Sequence, residues 1–165
     1  VTGIGGCVIV DGKLVNGKNF SAGEFSMIQT DKGHYGFEHI WASLSGIKGL
    51  LNHVNAARGC EENMSGEQIF LAANNNDEKV LLGVSEFAKH VAFELYNLVA
   101  ILNPEVIAIG GGISVQPLLI DLIRQHMESI NKSMGDFFHL PTIVPCKFFN
   151  DANLIGALHQ HLQSK

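Results

Sequence analysis

The segment Asn103–Ser114 constrains the fold of this chain more than any other. It places a short apolar run, Val106–Ile109, after a proline and before three consecutive glycines. β-Branched runs with such boundaries are typical of strands buried on both faces, so we predict a central parallel strand here. Apolar residues recur at helical spacing before it, from Ser85 to Leu102, and after it, from Val115 to Ile130. Helix, strand and helix in this order indicate an α/β fold.

Gly110, Gly111 and Gly112 follow directly at the carboxyl end of this strand. Because they have no side chains, backbone amides can approach a ligand closely, and ligands of open α/β sheets bind at this edge. Ser114 is placed to cap the next helix, which would point the positive end of that helix towards the ligand. The sequence therefore predicts a ligand site at the glycine turn.

Length and charge limit the classes of protein to which the chain can belong. Its 165 residues fit one domain with a substantial core. The net charge of −5, without any run of Lys or Arg, argues against a nucleic-acid surface. The sequence shows no apolar run near the roughly 18 residues of a membrane span and no basic leader. We expect a cytoplasmic protein that binds neither nucleic acid nor membrane.

The chain opens in a glycine-rich turn, Val1–Gly6, that leads into a predicted hairpin. Strands are expected at Cys7–Val10 and Lys13–Val15, joined by the turn residues Asp11 and Gly12. A phosphate-cradling loop normally follows a secondary-structure element, so we expect the chain to start partway through a larger protein.

Two interpretations of this opening turn stay open. A dinucleotide fingerprint is excluded, because Val8 stands where its third glycine is required and a strand follows in place of a helix. A Walker A loop is excluded because the sequence contains no Gly-Lys-Ser/Thr. What remains is either a loop in which the Thr2 hydroxyl and the amides of Gly3, Gly5 and Gly6 surround phosphates, or a plain glycine turn.

Residues 16–46 are irregular, with Gly, Asn, Ser and Asp spread among single apolar residues. Long loops of this kind often carry function. Glu24 follows a glycine, and Glu38 stands at the entry to a helix predicted through Trp41 and Ile47. Each carboxylate could accept a hydrogen bond from a sugar hydroxyl or be a solvated charge, and Glu38 could instead start its helix.

Cysteine and histidine do not form a metal-binding pattern in the sequence. Cys7, Cys60 and Cys146 are far apart and odd in number, so we expect reduced and mostly buried thiols. His34 and His39 lie five residues apart, but only one carboxylate is adjacent and no Cys is nearby. The other histidines are scattered along predicted helices and should mostly lie on the surface.

The remaining predicted elements are short. Met64–Glu67 opens a short helix, and Thr142–Phe149 is a last strand that Pro145 pushes towards a sheet edge. Asn150–Ala152 caps a predicted final helix, Asn153–Leu162.

Three segments together resemble the ROK family of repressors, open reading frames and sugar kinases. They are Thr2–Gly6, Asn103–Ser114 and Asn150–Ala157, in the family's order and spacing. Each segment is weak evidence by itself, but their joint occurrence is specific. The resemblance covers essentially all 165 residues, and only the second half of a typical family member. It therefore implies that residues 1–165 are the C-terminal lobe of a larger protein.

The resemblance implies a fold, a site and partners. The fold is a ribonuclease H-like lobe of the actin-like ATPases, an α/β architecture with a mixed sheet and helices on both faces. Residues 2–6 would contact the ATP phosphates and Gly110–Gly112 the adenosine. Glu24 and Glu38 would bind a hexose within a sugar-site insertion, residues 16–46. ATP, Mg²⁺ and a hexose are the implied ligands, and a homodimer is the implied assembly.

Departures from the family pattern concern zinc and catalysis. Met27 replaces the family's zinc-ligating His, and residues 31–37 contain no Cys, so we expect no zinc. The resemblance places the catalytic Asp and the first phosphate motif before Val1. The implied function is a lobe of a zinc-less ATP-dependent hexose kinase, inactive alone. The alternative is the sugar-sensing domain of a ROK transcriptional repressor.

Overall fold

The computed structural model describes residues 3–163, which form α-helices around a buried core and two small sheets. The described helices are α1 Gly46–Arg58, α2 Gly66–Asn74, α3 Glu78–Leu102, α4 Pro117–Ser133 and α5 Ala152–Gln163. The described strands are β1 Ile9–Val10, β2 Lys13–Leu14, β3 Val106–Ile109 and β4 Thr142–Pro145. In this range we find no helix with both the length and the apolar character that a membrane crossing requires.

The core is built around α3, which packs between α1 and α4. Its apolar side chains are buried along most of its length, with Val84 and Phe87 in the first half and Leu95 and Val99 in the second. A Cβ atom on Gly83 would lie 2.5 Å from Cα of Val54, so only glycine permits this approach of α1 to α3. The helices therefore contribute most of the buried core, and the sheet and the loops lie around them.

The predicted sheet is only partly correct. β3 pairs in parallel with β4, in a register from Val106 opposite Thr142 to Ile109 opposite Pro145. Within residues 3–163 these two strands form the whole sheet, so a central strand, a mixed sheet and helices on both faces are wrong predictions for this range. Only one face is covered: Ile107 packs against the core, whereas Val106 is 53% exposed. An apolar run identifies a strand, but it does not show what covers each face.

The predicted hairpin is confirmed, with shorter strands than expected. β1 and β2 are antiparallel, with Ile9 opposite Leu14 and Val10 opposite Lys13. Asp11 and Gly12 have φ angles of 51° and 71°. Two consecutive positive φ angles are the requirement of a type I′ turn, which explains the Asp-Gly pair.

Helix boundaries show where local sequence signals were incomplete. α3 starts at Glu78 and not at Ser85, because Asp77 caps it by accepting a hydrogen bond from the amide of Val80 at 3.1 Å. The helix predicted through Trp41 and Ile47 is interrupted: residues 37–39 and 41–44 are short 3₁₀ turns, and α1 begins only at Gly46. The last strand ends at Pro145, before Phe149, and is followed by a 3₁₀ turn and α5.

Candidate functional site

The glycine turn after β3 offers exposed backbone. Gly111 has a φ of 80° and a ψ of 175°, a conformation that is essentially restricted to glycine. A Cβ atom on Gly111 or Gly112 would meet no described atom within 4 Å. The space in front of these two residues is therefore open, as close approach of a ligand to the backbone requires.

Ser114 does not cap the next helix, so that prediction is wrong. Its hydroxyl donates to the carbonyl oxygen of Gly111 at 2.8 Å, and the residue is 2% exposed. It belongs to a 3₁₀ turn, Gly112–Val115, which separates the glycines from α4. The cap position of α4 is Gln116, which makes no side-chain cap bond in the part of the chain described. Ser114 therefore fixes the shape of the glycine turn and does not aim a helix dipole at a ligand.

The opening loop packs against the segment that contains Glu24. A Cβ atom on Gly6 would lie 2.3 Å from Cδ2 of Phe25 and 2.8 Å from the carbonyl oxygen of Gly23, so Gly6 is required for this close packing. Gly5, by contrast, faces open space within the described structure, and a Cβ on Gly3 would make an ordinary contact with Ala42 at 3.5 Å. Thr2, the other predicted phosphate contact, lies outside the described residues.

Cys7 and Cys146 each lie against a glycine. A Cβ atom on Gly23 would lie 2.8 Å from Cα of Cys7, and one on Gly110 would lie 3.3 Å from Sγ of Cys146. Burial first, and the charge of Cys7 second, raise the pKa of the Cys146 thiol. The opening loop therefore packs against the start of the Glu24 segment, and the glycine turn packs against the end of β4.

The predicted burial of the thiols is wrong. All three cysteines are unpaired within the described range, but Cys7 and Cys60 are exposed and Cys146 is half-buried. Cys7 and Cys146 occur at the ends of loops and strands and not inside the helical core, which is why the usual burial of free cysteine does not apply. Their contacts with Gly23 and Gly110 had no signal in the sequence.

Glu24 is an exposed carboxylate with a defined partner. It follows Gly23, whose φ of 84° turns the chain, and precedes a 3₁₀ turn, Phe25–Met27. The Ser26 hydroxyl donates a hydrogen bond to Oε1 of Glu24. Phe25 packs against the core, so the backbone is anchored while the carboxylate faces solvent.

Glu38 is also exposed, and it lies in the 3₁₀ turn Phe37–His39. Its carboxylate folds back over Gly36: a Cβ atom on Gly36 would lie 3.0 Å from Oε1 of Glu38. On the other side, Nε2 of His39 is 3.7 Å from the same oxygen. The turn is too short to be the helix that the sequence predicted at this point.

The two carboxylates belong to one substructure. An antiparallel bridge pairs Gln29 with Ile40, and the amide of Trp41 donates to the carbonyl oxygen of Ile28 at 2.8 Å. The amide of Thr30 donates to the carbonyl oxygen of His39 at 2.9 Å. The segments that follow Glu24 and Glu38 are thus held side by side.

The histidine pair of the loop and three histidines of the helices have different surroundings. His34 and His39 stack in the loop, with ring centroids 5.3 Å apart, and residues 3–163 contain no group of three or more side chains that could hold a metal ion. His53, His90 and His126 are half-buried against the helices, so the prediction of mainly surface histidines is wrong for these three.

A sequence model of the ROK family matches residues 1–163. The chain belongs to the ROK family. Its relatives include the beta-glucoside kinase of Klebsiella pneumoniae, which is 33% identical over 98% of this chain and 53% of that protein. The chain therefore spans about half the length of the curated relatives it matches. This confirms the resemblance that the three sequence segments indicated.

Solved ROK structures share the fold. A ROK family protein from Streptococcus pneumoniae TIGR4, solved in complex with sucrose, superposes with a TM-score of 0.86 at 28% identity, covering 99% of this chain and 56% of that one. A ROK family glucokinase from Streptomyces griseus, solved in complex with glucose and AMPPNP, gives 0.83 at 22% identity, covering 94% and 56%. These ROK neighbours have the actin-like ATPase fold, which is the fold class predicted.

Proposed function

We propose that this chain is the C-terminal, nucleotide- and sugar-binding lobe of an ATP-dependent hexose kinase. The observations that support this most are the packing of the opening loop against the Glu24 segment and the open backbone of Gly111 and Gly112. An open glycine turn suits a nucleotide, and an exposed carboxylate beside a glycine-rich loop suits a polyhydroxyl acceptor. The kinase names among the relatives agree with this proposal.

Each motif has a proposed role. The backbone of Gly3, Gly5 and Gly6 faces the ATP phosphates, with Thr2 as a further contact outside the described residues. Gly110, Gly111 and Gly112 lie against the adenosine, where the absence of side chains at Gly111 and Gly112 leaves room. The carboxylates of Glu24 and Glu38 accept hydrogen bonds from sugar hydroxyls, since charge-assisted bonds of this kind are short and strong.

Phosphoryl transfer depends on positioning and on neutralising the charge of the transferred group, which Mg²⁺ bound to ATP supplies. In the proposed enzyme, this lobe orients both substrates by the contacts named above. The catalytic base, an Asp by resemblance to the family, is not assigned to any residue of this chain, so the lobe alone should not turn over. Zinc has no part in the proposed site, and a cytoplasmic homodimer is the proposed assembly.

Formation of a sugar phosphate by the full-length protein tests the proposal. The purified protein should convert ATP to ADP only when a suitable hexose or β-glucoside is present, and one sugar phosphate should appear for each ADP. A protein that binds sugar without transferring phosphate, and that binds DNA through a further domain, would instead support the repressor alternative.

A further inference from the structure

His39 lies between two carboxylates in the loop that carries Glu38. Its Nδ1 atom is 3.8 Å from Oδ2 of Asp31, and its Nε2 atom is 3.7 Å from Oε1 of Glu38. The ring of His34 stacks on it. Its side chain is 29% exposed, whereas that of Glu38 is 73% exposed, so His39 is the more firmly enclosed of the two.

Asp31 is a fixed anion on one side of the ring. Its Oδ1 atom accepts a hydrogen bond from the amide of Gly33 at 2.7 Å, and its Oδ2 atom is 2.9 Å from Nδ1 of His34. The Gly33 amide first, and then the hydrogen bond with His34, lower the pKa of the Asp31 carboxyl. Asp31 therefore keeps its negative charge and its place throughout the neutral pH range.

The backbone fixes His39 relative to both carboxylates. Its carbonyl oxygen accepts hydrogen bonds from the amide of Thr30 at 2.9 Å and from the Thr30 hydroxyl at 2.8 Å. Its amide donates to the carbonyl oxygen of Gly36 at 3.1 Å. Among the described residues, the charged or titratable groups that face His39 in the structure are Asp31, His34 and Glu38.

The two contacts of the ring suit its charged form. A neutral imidazole has one N–H group, so one of its nitrogens would present a lone pair to a carboxylate oxygen. An imidazolium has an N–H on each nitrogen and can direct one towards Asp31 and the other towards Glu38. Only the charged ring attracts both carboxylates at once.

We propose that His39, anchored by Asp31, is a positioning residue that holds the Glu38 carboxylate in place for sugar when the imidazole is protonated. This inference rests on the proposed function, in which Glu38 binds a sugar hydroxyl. Sugar affinity then decreases when the imidazole loses its proton. ATP affinity is unaffected, because the glycine turns do not use this loop.

The test is the sugar KM of the full-length kinase, measured from about pH 5 to pH 8, for the wild type and His39→Gln. At the acidic end, His39→Gln should raise the sugar KM by about 2- to 5-fold, the size expected for a partly exposed charge pair. At the alkaline end the variant and the wild type should converge. The KM for ATP and the kcat should change little. His139→Gln, which alters an exposed histidine outside this loop, is the matched control and should keep the wild-type profile.

A double-mutant cycle decides whether His39 acts through Glu38. If it does, His39→Gln combined with Glu38→Gln should raise the sugar KM no further than Glu38→Gln alone. Additive effects, or a pH profile unchanged by His39→Gln, would overturn the inference while leaving the kinase proposal intact. Absence of any sugar phosphorylation by the wild type would overturn the proposed function, and the role of His39 with it.

Discussion

Gly111 and Gly112 are adjacent in the glycine turn but differ in what a side chain would do there. Neither would meet a described atom within 4 Å, but only Gly111 has a positive φ. Gly112→Val should therefore raise the KM for ATP without much loss of stability, because it fills the open space and does not strain the backbone. Gly111→Val should also destabilise the protein by about 1–3 kcal/mol, the usual cost of that backbone conformation.

Steady-state kinetics and thermal unfolding of both variants separate the two effects. The sugar KM should stay near the wild-type value in Gly112→Val. If Gly112→Val left the KM for ATP unchanged, the adenosine assignment would be wrong and the glycines would serve only the shape of the turn.

Glu24 and Glu38 are both exposed carboxylates, so their removal should affect binding more than folding. If each accepts a hydrogen bond from a sugar hydroxyl, Glu→Gln at either position should lower kcat/KM for sugar by about 10- to 150-fold. Sugar kinetics and the thermal midpoint should be measured together. An unchanged Glu24→Gln enzyme would remove Glu24 from the sugar site, and a Glu38→Gln protein that loses only stability would give Glu38 a structural role.

Ser65 and Ser45 both stand directly before the first residue of a helix, but their hydroxyl groups differ in hydrogen bonding. Ser65 starts α2 with a capping box: its hydroxyl accepts from the amide of Gln68 at 3.2 Å, and Gln68 Oε1 accepts from the Ser65 amide at 2.8 Å. Ser45 occupies the same position before α1, but its buried hydroxyl has no partner among the described residues. Ser65→Ala should destabilise the protein by about 1 kcal/mol, and Ser45→Ala should cost little.

Urea denaturation of the two variants checks this difference. A loss of stability in Ser45→Ala as large as that in Ser65→Ala would show that the capping bonds of Ser65 do not account for its effect.

At the element scale, local signals predicted the type of most elements but not their environment. Met64–Glu67, at the start of α2, and the pair Asp11 and Gly12 were informative because helix starts and tight turns depend on nearby residues only. The partner strand of β3 and the exposure of Val106 could not be predicted from the sequence, since they depend on residues far away in the chain. The close approach of Gly6 to Phe25 could not be predicted either, because a glycine in a sequence does not show which residue packs against it.

The resemblance to the ROK family proposes the opening loop, the glycine turn and Glu24 as site residues, and these assignments stay predictions. The place of His39 between Asp31 and Glu38 had no signal in the sequence, because these contacts follow from the folding of the loop.

For the whole molecule, His53 links stability to pH. Burial first, and the nearby His90 second, lower the pKa of His53 below its ordinary value of about 6.5. The unfolded chain then binds the proton more readily, so the contribution of His53 to the free energy of unfolding is complete above about pH 6.5. This contribution is lost as pH falls through the lower pKa of the folded protein. His53→Gln should flatten the dependence of stability on pH below 6.5.

Glu94 should give the dependence of stability on pH the opposite sign. It is 3% exposed on α3, and burial raises the pKa of its carboxyl above the ordinary value of about 4.5. The contribution of Glu94 to the free energy of unfolding is complete below that pH and is lost as pH rises through the higher pKa of the folded protein. Urea midpoints measured between about pH 4 and 8 for His53→Gln and Glu94→Gln test these signs. A His53→Gln protein with the wild-type acid dependence would contradict the role of His53.

The most direct test of the central claim is a structure of the full-length protein with a sugar and a non-hydrolysable ATP analogue bound together. We predict the adenosine against Gly110–Gly112, the phosphates beside the backbone of Gly3, Gly5 and Gly6, and a sugar hydroxyl hydrogen-bonded to the Glu24 carboxylate. A nucleotide bound away from both glycine turns, or a sugar bound out of reach of Glu24, would contradict the account.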